Sequence, residues 1–340
     1  MHETAELSTA WPESGGVPLL AIENVSVELP TPRGVLRAVH NVSLGLAAGR
    51  TLGIVGESGS GKTMLSRAVA QLLPRQAALS GRVLFDGKNL AELAPEALRR
   101  LRGRSLAFVL QDPMTSLNPV LTVGQQITET LREHLGLDAP AAARRAVELL
   151  RSVGIPSAAE RLAHYPHQFS GGMRQRVAIA IALSCEPKLL IADEPTTALD
   201  VTVQAQILDL LAREQRRRQM AMILITHDLA VVAGRTDEVA VMYAGRVVER
   251  APTRSLFKAM RMPYTQALIA AIPKVDQPPH TPLRAISGLP PDPTRPSPGC
   301  AFAPRCHLSS AQCRGSAPPL SADGDSQHQF ACWHPLGISA

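Results

Sequence analysis

The eight residues Gly56-Glu57-Ser58-Gly59-Ser60-Gly61-Lys62-Thr63 fill the pattern G-x-x-x-x-G-K-[ST] directly behind an apolar stretch, residues 51–55. A strand that delivers such a loop to a helix reads as a phosphate cradle. The glycines let backbone N–H groups turn inward around a β-phosphate, Lys62 reaches the β- and γ-phosphates, and the Thr63 hydroxyl is placed to ligate Mg²⁺. The pattern by itself also fits an ordinary Gly/Ser loop before a helix, so the decision falls to the rest of the chain.

Far downstream, Leu189-Leu190-Ile191-Ala192-Asp193-Glu194 is an apolar run ending in two carboxylates. A buried strand meeting a polar turn explains the apolar run but not two adjacent acids at its end. Asp193 reads as the Mg²⁺ partner, and Glu194, one residue beyond, is placed to take a proton from the water that attacks the γ-phosphate of ATP.

Between these elements, Phe169-Ser170-Gly171-Gly172-Met173 opens a helical pattern through Arg174, Arg176, Val177 and Ile181. A serine and two glycines at a helix start form an anion site. The segment resembles the signature loop of ATP-binding-cassette ATPases, usually Leu-Ser-Gly-Gly-Gln. Phe169 and Met173 depart from that form, while the Ser-Gly-Gly core is intact. The resemblance implies that Ser170, Gly171 and Gly172 act in trans, across a dimer interface, on ATP held by the cradle of a partner subunit. It further implies that Gln111 senses Mg²⁺ and the attacking water, that Ala198-Leu199-Asp200 runs along the dimer seam, and that His227 contacts the γ-phosphate. The aromatic residue that stacks on adenine in the family is replaced here by Leu29, which leaves apolar contact in its place.

The chain has 340 residues, 45% hydrophobic and 19% charged, which suits an α/β domain with an extension. Its apolar runs are far shorter than the ~18 residues that span a bilayer. The N-terminal residues, Met1-His2-Glu3-Thr4-Ala5-Glu6, lack the basic and apolar regions of a signal peptide, so a cytoplasmic location is expected. A net charge of +6 raises nucleic acid as a partner, but aromatics are only 3% and the basic residues are dispersed, so no nucleic acid is expected. The run Arg216 to Arg218 reads as a solvated helix face.

Residues 19–46 alternate like antiparallel strands around a turn at 30–34, and residues 94–102 and 141–153 carry helical spacing. Strand and helix alternate over 189–249, which argues for a mostly parallel sheet. Beyond about Pro252 proline becomes dense, predicting an extended, loop-rich tail. The expected organisation is an N-terminal tail (1–18), a P-loop cassette with an antiparallel β part (19–255) whose helical subdomain covers about 112–182, and a C-terminal extension (256–340).

Three segments narrow the resemblance: Gln111-Asp112-Pro113-Met114-Thr115-Ser116-Leu117-Asn118-Pro119, Pro263-Tyr264-Thr265-Gln266-Ala267-Leu268, and Gly299-Cys300-Ala301-Phe302-Ala303-Pro304-Arg305-Cys306. They are similar to the ATPase subunits of oligopeptide, dipeptide and nickel importers, over nearly the whole chain. That resemblance implies ATP-driven closure and hydrolysis-driven opening of a two-cassette sandwich on the cytoplasmic face of the cell (inner) membrane. The partners it implies are a second, related ATPase subunit, two transmembrane permeases and an extracytoplasmic substrate-binding protein.

Four of the five cysteines, Cys300, Cys306, Cys313 and Cys332, fall in the tail, and in a cytoplasmic protein such clustering argues for metal over disulfides. Their spacing matches neither zinc ribbons nor ferredoxin runs, leaving structural zinc and four reduced thiols open. The family resemblance implies a [4Fe–4S] cluster. Cys185, alone in an apolar helical run, reads as a packing residue. The competing function is a non-transport cassette ATPase acting on nucleic acid or the ribosome. Only about a hundred residues separate Lys62 from Ser170, with no heptad stretch, and each motif occurs once, which disfavours it.

Overall fold

The computed structural model describes residues 18–112, 116–197, 199–272, 285–323 and 325–337. The expected N-terminal tail up to residue 17, residues 113–115 of the segment after Gln111, Ala198 and residues 273–284 of the proline-dense tail lie outside the described residues.

The alternating stretch forms a hairpin, β1 (Leu20–Thr31) with β2 (Gly34–Leu46), antiparallel from Leu20↔Leu46 to Thr31↔Gly34. The fully buried strand β3 (Thr51–Val55) follows and feeds the helix α1 (Lys62–Val69). Then β4 (Ala78–Phe85) pairs antiparallel with β1, and the short β5 (Lys88–Asn89) completes a four-stranded sheet in the order β2-β1-β4-β5.

Helix α2 (Pro95–Arg104) begins on proline, which lacks the N–H that a first turn leaves unpaired, and kinks at Arg102 and Gly103. Beyond β6 (Leu106–Val109) lies a helical part: α3 (Val123–Leu135), α4 (Ala139–Ser152), α5 (Ala158–Arg161) and α6 (Gly171–Leu183). The sequence reading missed α3. Its signal is a capping box, in which Thr122 accepts from the Gln125 N–H while the Gln125 side chain bonds back to the Thr122 backbone.

Strand and helix then alternate through β7 (Leu189–Asp193), α7 (Val201–Arg218), β8 (Ala221–Thr226), α8 (Leu229–Val232), β9 (Glu238–Tyr243) and β10 (Arg246–Pro252). The second sheet runs β11-β12-β10-β9-β3-β8-β7-β6, and its five strands β9-β3-β8-β7-β6 are parallel. Both faces of these strands are covered, so they read as unbroken apolar runs. One apolar cluster joins this sheet to the antiparallel one and a second joins it to α3, α4 and α6.

After β10 come α9 (Thr253–Lys258), α10 (Pro263–Ala270), α11 (Ala311–Gly315), β11 (Ser321–Asp323) and β12 (Asp325–Phe330). The tail is less extended than its proline content predicts. Its proline-free run, residues 320–334, adds a hairpin to the core sheet, β12 pairing with β10 through Glu249↔Phe330 and Arg250↔Gln329. The polar composition of β12 hid the strand, although His328 and Phe330, two residues apart, are both buried. Among the described residues no helix is long and apolar enough to cross a membrane.

Candidate active site

Parallel strands collect their C-terminal ends at one edge, where ligands of open α/β sheets bind. β3 ends in the cradle, β6 two residues before Gln111, β7 on Asp193, and β8 one residue before His227. The positions that the sequence singled out separately are thus delivered to one place by topology.

Glycine is required where the cradle meets its neighbours. A Cβ at Gly56 would stand 2.1 Å from the Met242 carbonyl, and one at Gly61, whose φ is +100°, would stand 2.2 Å from the Ala38 carbonyl. Lys62 is 4% exposed, and its ammonium donates to the carbonyls of Gly56 (2.7 Å) and Glu57 (2.8 Å), with Ser60 Oγ at 3.4 Å. Burial pushes the Lys62 pKa down, and Glu194, Asp193 and Glu57 pull it back up.

Thr63 Oγ1 donates to Asp193 Oδ1 (3.3 Å) and Ser66 Oγ to Asp193 Oδ2 (3.1 Å). Burial pushes the Asp193 carboxyl up, and these two hydroxyls pull it down. A hydroxyl and a carboxylate meeting at the mouth of the cradle are hard oxygen donors that suit Mg²⁺. Glu194 leaves the strand in the left-handed region, φ 45°, with its N–H bonded to the Ile225 carbonyl. Its Oε2 accepts from Gln111 Nε2 (3.0 Å) and Thr197 Oγ1 (2.9 Å), and His227 Nδ1 lies 3.4 Å away. His227 is 63% exposed at its side chain against 13% for Glu194.

Ser170 caps α6, its Oγ accepting from the Met173 N–H. Phe169 is a core residue of the helical part, with the Arg161 guanidinium 5.5 Å from its ring centre. A Cβ at Gly171 would touch Leu199, and one at Gly172 would stand 2.6 Å from Val203, so the signature segment packs on the segment that enters α7. Asp200 caps α7 through the Val203 N–H. Among the described residues no hydrogen bond joins Ser170 or Asp200 to the cradle of the same chain. Leu29 packs against the apolar cluster of the antiparallel sheet.

Cys300, Cys306, Cys313 and Cys332 line one cavity together with Phe302 and Trp333. The Cys300 N–H donates to the Cys313 carbonyl, and backbone N–H groups donate to the sulfurs of Cys300, Cys306 and Cys332. Burial pushes three of the thiols up, Cys332 to about 11. Among the described residues no group of three or more His, Cys, Asp or Glu side chains is arranged to hold a metal ion. Cys185 is buried at the end of α6.

Four residues with a part in this site were not read from the sequence. Ser66 and Thr197 each lie three residues beyond a recognised position, a spacing that marks them. Tyr264 and Arg305 lie within quoted segments, but nothing local announces that both reach Glu57.

This fold and this edge define a P-loop nucleotide-binding cassette. A model described as ABC transporter matches residues 39–197, and one described as the C-terminal region of oligopeptide/dipeptide transporters matches residues 248–313. The Dipeptide transport ATP-binding protein of Bacillus subtilis is 47% identical, covering 93% of this chain and 94% of that protein. The Oligopeptide transport ATP-binding protein of Haemophilus influenzae is also 47% identical, covering 93% and 97%. A dimeric ATP-binding cassette solved in a post-hydrolysis state with ADP and phosphate superposes with a TM-score of 0.62 at 28% identity, over 69% of this chain and 99% of that one. This chain belongs to the family of ATP-binding subunits of the oligopeptide/dipeptide ABC transporters. The match over residues 248–313 weighs against the nucleic-acid or ribosome alternative.

Proposed function

We propose that this chain hydrolyses ATP to energise an importer of peptides or related solutes. The observation that carries the reading is the Glu194 carboxylate, one residue beyond the Mg²⁺ ligand candidate Asp193, accepting from Gln111 and Thr197 beside His227 at the mouth of the cradle. Residues 56–63 hold the phosphates of ATP, with the N–H groups of the loop and the Lys62 ammonium facing their charge. Thr63, Asp193 and Gln111 hold Mg²⁺. Glu194 takes the proton of the attacking water, Gln111 and Thr197 keep its carboxylate oriented, and His227 contacts the γ-phosphate.

Ser170, Gly171 and Gly172 complete the ATP site of a second, related ATPase subunit, with Asp200 at the seam. The absence of bonds from Ser170 to its own cradle among the described residues supports that reading. Closure on ATP and opening after hydrolysis drive two transmembrane permeases supplied by an extracytoplasmic substrate-binding protein, so the chain sits peripherally on the cytoplasmic face of the inner membrane.

The four tail cysteines are proposed to hold a [4Fe–4S] cluster. Four thiols on one cavity, three of them with backbone N–H groups on their sulfurs, suit it, and a four-iron cluster separates its ligands more widely than a single ion does. Such a group would supply cross-linking of the tail and a redox centre.

The test is reconstitution in vesicles with the permeases, the partner ATPase and the binding protein. ATP-dependent uptake of peptide is expected, and Lys62→Ala abolishes it. Uptake that is indifferent to ATP or to Lys62→Ala would contradict the reading.

A further inference from the structure

Glu57 is the second residue of the cradle, and three of its groups are held. Its carbonyl accepts from Lys62 Nζ (2.8 Å), its N–H donates to Tyr264 Oη (2.9 Å), and its carboxylate accepts from both ends of one guanidinium, Arg305 Nη1 to Oε2 (2.7 Å) and Nη2 to Oε1 (2.9 Å). Two of these partners lie more than two hundred residues downstream, beyond the end of the core sheet's β10. The residue that positions Lys62 is itself positioned by the C-terminal part of the chain.

Arg305 is built into that part. Its side chain is 4% exposed. It donates to Tyr243 Oη (3.2 Å) and to the carbonyls of Ser287 (2.9 Å) and Ile286 (3.2 Å), so its donors are spread over the cradle, β9 and the tail. The rings of Tyr243, Tyr264 and Phe302 pack edge and tilt against one another at 4.5–5.5 Å, with the guanidinium 5.9 Å from two of them. Arg305 directly precedes Cys306 in a short turn, and Phe302 lines the four-cysteine cavity. Cavity and cradle are therefore connected through Arg305 and the Phe302 ring.

A bidentate arginine–carboxylate pair fixes orientation as well as distance, and a lysine cannot reproduce its fork. We propose that Arg305 is a positioning residue of the nucleotide site: it fixes Glu57, hence the cradle loop and Lys62, and through it the cysteine-lined tail sets the affinity of the cradle for ATP. This rests on the reading of residues 56–63 as the ATP site.

The test measures, on the full chain, the dissociation constant for MgATP by titration calorimetry and the hydrogen exchange of the amides of residues 56–60. Arg305→Ala is expected to weaken ATP by about 10–100-fold, the usual cost of removing a group that orients a binding residue, and to speed exchange in the loop. Arg305→Lys restores part of the affinity. Phe330→Ala, a lesion in the tail hairpin away from Glu57, lowers the melting temperature but leaves ATP affinity within about twofold. Where Arg305→Ala does not fold, Glu57→Gln probes the same bridge from its other end. Wild-type affinity and exchange in Arg305→Ala would overturn the proposal, and so would an equal loss in Phe330→Ala. Equal ATP binding by the unaltered chain and Lys62→Ala is a different result, one that removes the underlying reading of the cradle.

Discussion

Asp193 and Glu194 are neighbours whose carboxylates face different surroundings. Asp193 ends a buried strand at 2% exposure, bonded by two hydroxyls, whereas Glu194 turns out of the strand at φ 45° toward Gln111, Thr197 and His227. Folding raises the Asp193 pKa above its ordinary 3.8, chiefly through burial. The folded chain then binds this proton more tightly than the unfolded chain, so as pH rises from about 3.8 through the raised value the charged carboxylate works increasingly against stability. Asp193→Asn should therefore raise the melting temperature of the nucleotide-free chain near neutral pH, with a gain that shrinks toward about pH 4, while Mg²⁺-dependent turnover is lost. Thermal denaturation at the two pH values checks this, and a lower melting temperature near neutral pH would contradict it. Tyr264→Phe removes the hydroxyl that accepts from the part-buried N–H of Glu57 and should cost about 0.5–1.5 kcal/mol, read by denaturant unfolding. The cradle, the acidic pair, Gln111 and His227 were legible because each stands within a few residues of a strand end in a local pattern. Arg305 was not, since its partner lies 248 positions away and no local pattern encodes that pairing.

The elements meet through small residues and buried polar anchors. The signature segment packs closely on the entrance to α7 because Gly172 lacks a side chain: a Cβ there would stand 2.6 Å from Val203, whereas one at Gly171 would make ordinary contact with Leu199 at 3.6 Å. At the other edge, Glu249 of β10 is fully buried and accepts from the N–H groups of Arg261 and Met262, with His328 Nε2 of β12 at 2.8 Å. One carboxylate thus ties the core sheet, the approach to α10 and the added hairpin. Glu249→Ala removes the acceptor of the buried Met262 N–H, at about 1–3 kcal/mol, together with its bonds to the part-buried Arg261 N–H and to His328, and should release the hairpin. Faster proteolysis within residues 285–337 together with a lower melting temperature is the expected outcome, and unchanged cleavage would count against the anchor. The parallel sheet was readable as apolar runs alternating with helices, whereas β12 was hidden because every residue before Phe330 is polar, even though His328 and Phe330 are buried.

At the scale of the whole molecule, the proposed role of Ser170 in a partner's ATP site makes the cradle and the signature segment of one chain parts of two different sites. Ser170→Arg should then leave ATP affinity of this chain nearly unchanged and depress hydrolysis at the partner's cradle, and loss of binding by the isolated variant would place Ser170 in its own site. The measurement that bears most directly on the central claim is the turnover of the assembled transporter carrying Glu194→Gln, taken together with its nucleotide affinity. Retained ATP binding with hydrolysis slowed by roughly 10²–10⁴-fold, the usual contribution of a general base, is the predicted result. Unchanged turnover at that site would contradict the assignment of Glu194 and the mechanism built on it.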